Sequence, residues 1–182
     1  AIEPRSGYVR AMVGGYDYWG THSYRQTNLA AGAGRQTGSA FKPIVMAAAL
    51  ENGVSPGKLF DAPSSTVLQI PGGIWRVKGG GIGAGTMAEC TVVSSNTCYA
   101  NIMLDPEVGP ERSVEMATKL GIVSTEVEQT PAIVLGANNA TVQDMSSVYA
   151  TFANDGVQVP PTLVTKITGP DGEVVYQHAH AQ

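Results

Sequence analysis

The sequence predicts a mixed α+β protein, with strands toward both ends and helices between them. Three observations carry this reading. Apolar runs opened by helix caps fill the middle of the chain, a turn-bracketed pair of β-rich runs closes it, and a short alternating run opens it. The 182 residues suffice for one domain with a real core, burying roughly 70% of the unfolded surface. A hydrophobic share of 43% argues against disorder, and 22 glycines with 11 prolines call for many turns.

In chain order, Tyr8–Val13 alternates between Gly7 and Gly14-Gly15 and reads as a strand. Residues 16–38 read as loop. A helix is expected from Ser39, with Ser39 as cap or first-turn residue and Pro43 early enough to be tolerated. Its body, Ile44-Val45-Met46-Ala47-Ala48-Ala49-Leu50, is apolar nearly all round, the mark of a buried helix. Asn52-Gly53 ends it. Residues 54–85 read as mostly irregular. Thr86-Met87-Ala88-Glu89 is a capping box, and Ser94-Ser95-Asn96-Thr97 interrupts the helix it opens before Cys98–Leu104 resumes. Pro110–Leu120 is a further helix closed by Gly121. Thr141-Val142-Gln143-Asp144 reads as a second capping box, for a helix running to about Asn154. Leu163–Ile167 and Glu173–Tyr176 bracket Gly169-Pro170-Asp171-Gly172 as a hairpin.

Composition excludes several function classes. A net charge of −4 with scattered basic residues gives no footprint for nucleic acid or an anionic membrane. No run of about 18 apolar residues is present, so no spanning helix is expected. The opening Ala1-Ile2-Glu3-Pro4-Arg5 is no signal peptide and reads as a start inside a longer chain, with any anchor outside it. Cys90 and Cys98 read as buried free thiols in apolar helical surroundings. His178 and His180 form a His-x-His pair without a Cys or carboxylate cluster, so no metal is assigned. Gly79-Gly80-Gly81-Ile82-Gly83-Ala84 loosely matches a dinucleotide loop. The polar Trp75-Arg76-Val77-Lys78 before it does not suit a buried parallel strand, no βαβ pattern follows, and a loop is the plainer reading. Asn139-Ala140-Thr141 is a glycosylation-type triplet whose Thr141 is better explained as a helix cap.

The chemistry-bearing pattern is Ser39-Ala40-Phe41-Lys42, a Ser-x-x-Lys. Three residues apart on a helix, hydroxyl and amine share a face, with Cβ atoms about 5–6 Å apart. A serine is a weak nucleophile until a base takes its proton. A lysine serves as base only with a lowered pKa, which burial and the positive end of a helix dipole both favour. The bare pattern arises roughly once by chance in a chain this long, and Ser55-Pro56-Gly57-Lys58 also matches. Only Ser39 follows a glycine and opens an apolar helix; Ser55 precedes Pro-Gly in a loop. Ser94-Ser95-Asn96 is a polar break between two helical runs. It is a cap on its own, and a site element only if Ser39 lies beside it.

Gly34-Arg35-Gln36-Thr37-Gly38-Ser39-Ala40-Phe41-Lys42-Pro43 resembles the nucleophile motif of class A penicillin-binding proteins, and Ser94-Ser95-Asn96-Thr97 resembles their Ser-x-Asn motif. Residues 1–9 through Gly14-Gly15 resemble their first strand pair. Leu135-Gly136, residues 149–156 and Pro160-Pro161 resemble their downstream helix and exit. The likeness covers the chain in order. It implies an antiparallel sheet flanked by helices with a mostly helical subdomain, incomplete here: strands and loop over 1–38, the helical region with both motifs over 39–156, and a hairpin and tail over 157–182.

The resemblance implies a D,D-transpeptidase in which Ser39 attacks a D-alanyl-D-alanine stem peptide, Lys42 takes its proton, Ser94 relays a proton to the leaving group and Asn96 holds the substrate amide. It implies covalent reaction with β-lactams, a place on the extracytoplasmic face of the bacterial membrane and no cofactor. One departure stands out. No Lys-Thr-Gly or Lys-Ser-Gly occurs, so a further C-terminal segment or second chain is expected to supply that strand, and residues 1–182 alone are expected to be nearly inert. A carboxypeptidase or β-lactamase using water as acceptor, and a ligand sensor or inactive fragment without turnover, remain as alternatives.

Overall fold

The computed structural model describes residues 1–178. The chain divides into two compact units. One comprises Arg35–Ala117 and Glu126–Asn139; the other comprises Ala1–Gly34, Thr118–Thr125 and the described residues from Ala140 to His178. The expected α+β class holds, but the strands form small two-stranded antiparallel ladders rather than one sheet.

In the first of these units, a 3-10 turn over Gly38–Phe41 leads into α1, Lys42–Glu51. The helix therefore starts three residues later than expected, and Ser39 sits in the turn before it. Phe41, Ile44, Val45, Ala48 and Ala49 are buried, which anchors one side of α1 in the core, while Leu50 lies toward solvent. The Asn52 N–H closes on the Ala48 carbonyl, and Gly53 turns the chain away with φ +84°.

The segment 54–85, expected to be irregular, instead carries most of the described strand. After the two-residue strand β1 (Arg35–Gln36), β2 (Leu59–Ala62) pairs with β5 (Gly83–Thr86), and β3 (Ser65–Ile70) pairs with β4 (Gly73–Lys78). The physical reason is legible afterwards. The β3–β4 hairpin is largely exposed, so no apolar alternation is required of it, and β5 reads Gly-Ala-Gly-Thr with almost no side chains to show a period. Trp75–Lys78 is thus a strand, but one of an exposed hairpin.

Helix α2 (Met87–Val92) is opened by the expected capping box: the Glu89 N–H donates to Thr86 Oγ1 at 3.3 Å and the Thr86 N–H to Glu89 Oε2 at 2.8 Å. Helix α3 (Asn96–Met103) is capped by the Ser95 hydroxyl, which accepts from the Cys98 N–H at 3.2 Å. Cys90 and Cys98 are joined by a disulfide and are not free thiols. Eight positions apart on two consecutive helices, they face each other only because the chain reverses between them, and a reading of helical surroundings alone misses that. Helix α4 (Gly109–Leu120) follows, and a 3-10 turn over Pro131–Leu135 ends at Gly136.

In the other unit, the expected strand Tyr8–Val13 is reduced to two bridges, Ile2–Val9 antiparallel and Tyr8–Thr162 parallel. Val13 is 77% exposed, so the far end of that run is not buried. Past the short β6 (Asn139–Ala140), helix α5 (Val142–Ala153) starts at Thr141, whose hydroxyl accepts from the Asp144 N–H at 2.9 Å. The box is not reciprocal: Asp144 Oδ1 accepts from the Ser124 hydroxyl at 2.7 Å, and its other oxygen is unpartnered. The terminal hairpin is present as β7 (Lys166–Thr168) and β8 (Val174–Gln177). His178 packs on the Tyr8 ring. Its His-x-His partner, His180, lies outside the described residues.

Candidate active site

The site grows from the start of α1. Gly38 takes a left-handed φ of +57°, which only glycine adopts freely, and the chain then tightens into the 3-10 turn that carries Ser39. The Lys42 N–H donates to the Ser39 carbonyl, so serine and lysine bracket a single turn. Phe41, fully buried, pins that turn from beneath. Gly136 backs it from the other side. The two backbones run so close that a Cβ at Gly136 would lie 2.1 Å from the Gly38 nitrogen and 2.2 Å from its carbonyl oxygen. The Gly38 N–H donates to the Gly136 carbonyl and the Thr37 N–H to the Asn138 carbonyl. The Ser39 side chain is exposed and makes no hydrogen bond among the described residues.

Lys42 is buried, only 2% exposed. Its Nζ donates to the Ser94 carbonyl at 2.6 Å, to Ser94 Oγ at 2.9 Å and to Asn96 Oδ1 at 2.8 Å. An ammonium has three N–H donors, and these three neutral acceptors use them all. The face of Tyr99 lies 5.5 Å from the same nitrogen. Lys42 belongs to none of the ion pairs among the described residues. Burial without a counter-charge pulls its pKa down to about 8.

The Ser-x-Asn turn is built by the reversal between α2 and α3. Ser94 sits at φ +51°, left-handed for a non-glycine residue. The Ser94 N–H donates to the Thr91 carbonyl and the Ser95 N–H to the Cys90 carbonyl. Ser95, the middle residue, is fully buried and serves as the α3 cap. Asn96 is oriented unambiguously. Lys42 can only donate, so it faces Oδ1, and the Lys78 carbonyl can only accept, so it faces Nδ2, at 3.0 Å.

The structure therefore brings Lys42, Ser94 and Asn96 into one hydrogen-bonded cluster and leaves Ser39 exposed in the turn that leads into Lys42. Ser55 and Lys58 are elsewhere: Ser55 Oγ accepts from the Gly57 N–H, and Lys58 pairs with Asp105. Sequence reasoning missed three supports of the cluster. Gly136 carried no sign beyond its family likeness. Tyr99 was covered only by the helical run Cys98–Leu104. The Gly79-Gly80-Gly81 run, weighed as a nucleotide loop, leads into β5 rather than a helix and packs on the Ser-x-Asn turn, where the Asn96 N–H donates to the Gly79 carbonyl. The signal that could have found it is three adjacent glycines with no ligand motif, which permit close backbone approach.

Known proteins resemble this chain in sequence and in fold. The family model for the penicillin binding protein transpeptidase domain matches residues 1–182. Penicillin-binding protein 1A of Mycobacterium tuberculosis is 36% identical over 194 residues, covering 100% of this chain and 23% of that protein. The protein of the same name from Pseudomonas aeruginosa is 31% identical over 183 residues, covering 97% of this chain and 21% of that protein. Among solved structures, PonA1 of M. tuberculosis in complex with penicillin V superposes with a TM-score of 0.80 at 32% identity, over 97% of this chain and 48% of that one. Penicillin-binding protein 1A from Haemophilus influenzae superposes with a TM-score of 0.81 at 26% identity, over 97% and 26% of the two chains. The chain thus spans less than a quarter of the curated relatives it matches. With its full length matched by the family model and its two motifs joined through Lys42, the chain belongs to the penicillin-binding protein transpeptidase domain family.

Proposed function

We propose that this chain carries the acylation half-site of a serine D,D-transpeptidase, as the N-terminal portion of a single transpeptidase domain. The observation that carries the reading is the buried Lys42 ammonium, held by Ser94 and Asn96 on neutral acceptors, one turn from the exposed Ser39.

In its neutral form Lys42 accepts the Ser39 proton as Oγ attacks the carbonyl carbon of the penultimate D-alanine. The C–N bond to the terminal D-alanine breaks, and the departing nitrogen takes a proton relayed through the Ser94 hydroxyl. Ser39 is left as an ester. The amine of a neighbouring stem attacks that ester, a new amide forms, and Ser39 Oγ leaves and recovers its proton. Asn96, with one Nδ2 hydrogen not used by Lys78, has capacity to hold the substrate backbone. A β-lactam enters the same first step, but its ring amide opens without losing a fragment. The PonA1 complex with penicillin V supports this chemistry for a relative at 32% identity.

A Lys-Thr-Gly strand, supplied by a further C-terminal segment or second chain, would complete the site by pairing with the substrate and adding an oxyanion donor. The Cys90–Cys98 disulfide supports an extracytoplasmic location, because such bonds persist in oxidising compartments. A water-using carboxypeptidase or β-lactamase shares the acylation step and differs only in the acceptor.

The test uses the complete protein that contains this chain. After incubation with a penicillin, peptide mass mapping should place one full-mass adduct on the peptide with Ser39 and none on the peptide with Ser55. An adduct persisting in Ser39→Ala would overturn the reading.

A further inference from the structure

We propose that Cys90 and Cys98 are positioning residues for acylation: their disulfide holds the Ser94–Asn96 turn in register with Lys42. The inference rests on the transpeptidase reading above.

The turn lies inside the loop that the disulfide closes. Cys90 is on α2, Cys98 is on α3, both are fully buried, and residues 91–97 run between them. Neither helix can hold the reversal by itself. Helix α2 has six residues and α3 eight, well below the length at which an isolated helix is stable in water. At the apex Ser94 occupies a left-handed conformation, at φ +51°. A non-glycine residue stays there only where its surroundings over-determine it, a condition met mostly at functional sites.

Two constraints supply that condition from opposite sides. On one side the disulfide ties the flanking helices together, beside the Ser95 N–H to Cys90 carbonyl bond of 2.9 Å. On the other the glycine loop presses on the turn: a Cβ at Gly80 would come 2.5 Å from Ser95 Cα, and the Asn96 N–H donates to the Gly79 carbonyl at 3.1 Å. What is held between them is the acceptor set of the lysine. The Ser94 carbonyl, Ser94 Oγ and Asn96 Oδ1 all come from this one turn, 52 to 54 residues from Lys42 in sequence. A shift of the turn therefore moves all three acceptors together, and with them the group that takes and returns the Ser39 proton.

The experiment uses the complete protein and two variants, Cys90→Ala/Cys98→Ala and the volume-filling Cys90→Val/Cys98→Ala. Each is made with and without Asn96→Ala, and the second-order rate of labelling by a fluorescent penicillin is measured at 25 °C alongside circular dichroism. Removing the bridge should slow acylation on the order of 10-fold, within the roughly 10²-fold that a 1 Å misplacement costs. In the Asn96→Ala background the same change should cost less than about threefold, because part of the acceptor set it positions is already gone. A merely structural bridge would cost the same factor in both backgrounds, and that result would overturn the proposal. So would labelling within about twofold of wild type, or loss of the folded signal in both variants, since the bridge would then hold the whole unit rather than the turn. Absence of Ser39 labelling in the wild type would be a separate failure, of the transpeptidase reading itself.

Discussion

Ser39-Ala40-Phe41-Lys42 and Ser55-Pro56-Gly57-Lys58 carry the same four-residue pattern and place their lysines in opposite surroundings. Lys42 is 2% exposed and donates to one carbonyl, one hydroxyl and one amide oxygen. Lys58 has a side chain 45% exposed and pairs with the carboxylate of Asp105. Neutral acceptors with burial leave a lysine able to lose its proton near neutral pH, whereas a carboxylate partner favours the charged form. The difference is reciprocal at Asp105. Burial pushes its carboxyl up, but the hydrogen bond from Lys58, the Glu107 N–H and the Lys58 charge outweigh that and hold it below the usual range. The serines differ as well. Ser55 Oγ is engaged by the Gly57 N–H at 3.2 Å, while Ser39 is exposed and makes no side-chain hydrogen bond among the described residues. The lesson is that Ser-x-x-Lys is a spacing, and the lysine's partners decide whether it is a base.

The strongest way to break the contrast is Lys42→Ala in the complete protein. Loss of a general base should slow acylation about 10²–10⁴-fold, with the folded signal retained because α1 stays apolar without the lysine. Acylation within about threefold of wild type would sink the role assigned to Lys42.

The next effect is pH dependence. Lys42 can accept a proton only when neutral, and with a pKa of about 8 roughly a tenth of it is neutral at pH 7. Acylation should rise about tenfold per pH unit below that value, level off above it, and lose this limb in Lys42→Ala. A flat profile from pH 6 to 9 would contradict the assignment. Stability should move with the same group. The folded pKa lies below the 10.5 of the free side chain, so the unfolded chain holds more protons between about pH 8 and 10.5. A penalty on the order of 3 kcal/mol is therefore fully present below pH 8 and relieved as pH rises through that window.

The smallest expected effect is at the other pair. Lys58→Met should leave acylation within about twofold and lower the thermal midpoint by about 2–4 °C, the shift that roughly 1 kcal/mol produces in a chain of this size. A tenfold loss of acylation would show that the second Ser-x-x-Lys is coupled to the site after all.

The sequence by itself determined the features whose partners lie within a few residues. The Thr86–Glu89 box, the Thr141 cap and the Gly121 stop are read correctly because each closes hydrogen bonds across three positions; the terminal hairpin is found through its equally local turn at Gly169–Glu173, although its first strand lies at Lys166–Thr168 and not at 163–167. The Ser39–Lys42 spacing belongs to the same group, although the helix begins at Lys42 and not at the serine. Tertiary structure alone decided what Lys42 touches. Its acceptors arrive from 52 and 54 residues away, its pKa follows from the burial they complete, and Gly80 and Gly136 matter only because another backbone lies against them. The strands over 59–86 and the Cys90–Cys98 bridge belong here too. An exposed hairpin imposes no apolar period on its residues, and two cysteines on successive helices meet only once the turn between them has been made. Local patterns record the constraints of a single turn of chain; the Lys42–Ser94–Asn96 cluster is a contact between segments, and its residues carry no mark of one another until the chain has folded.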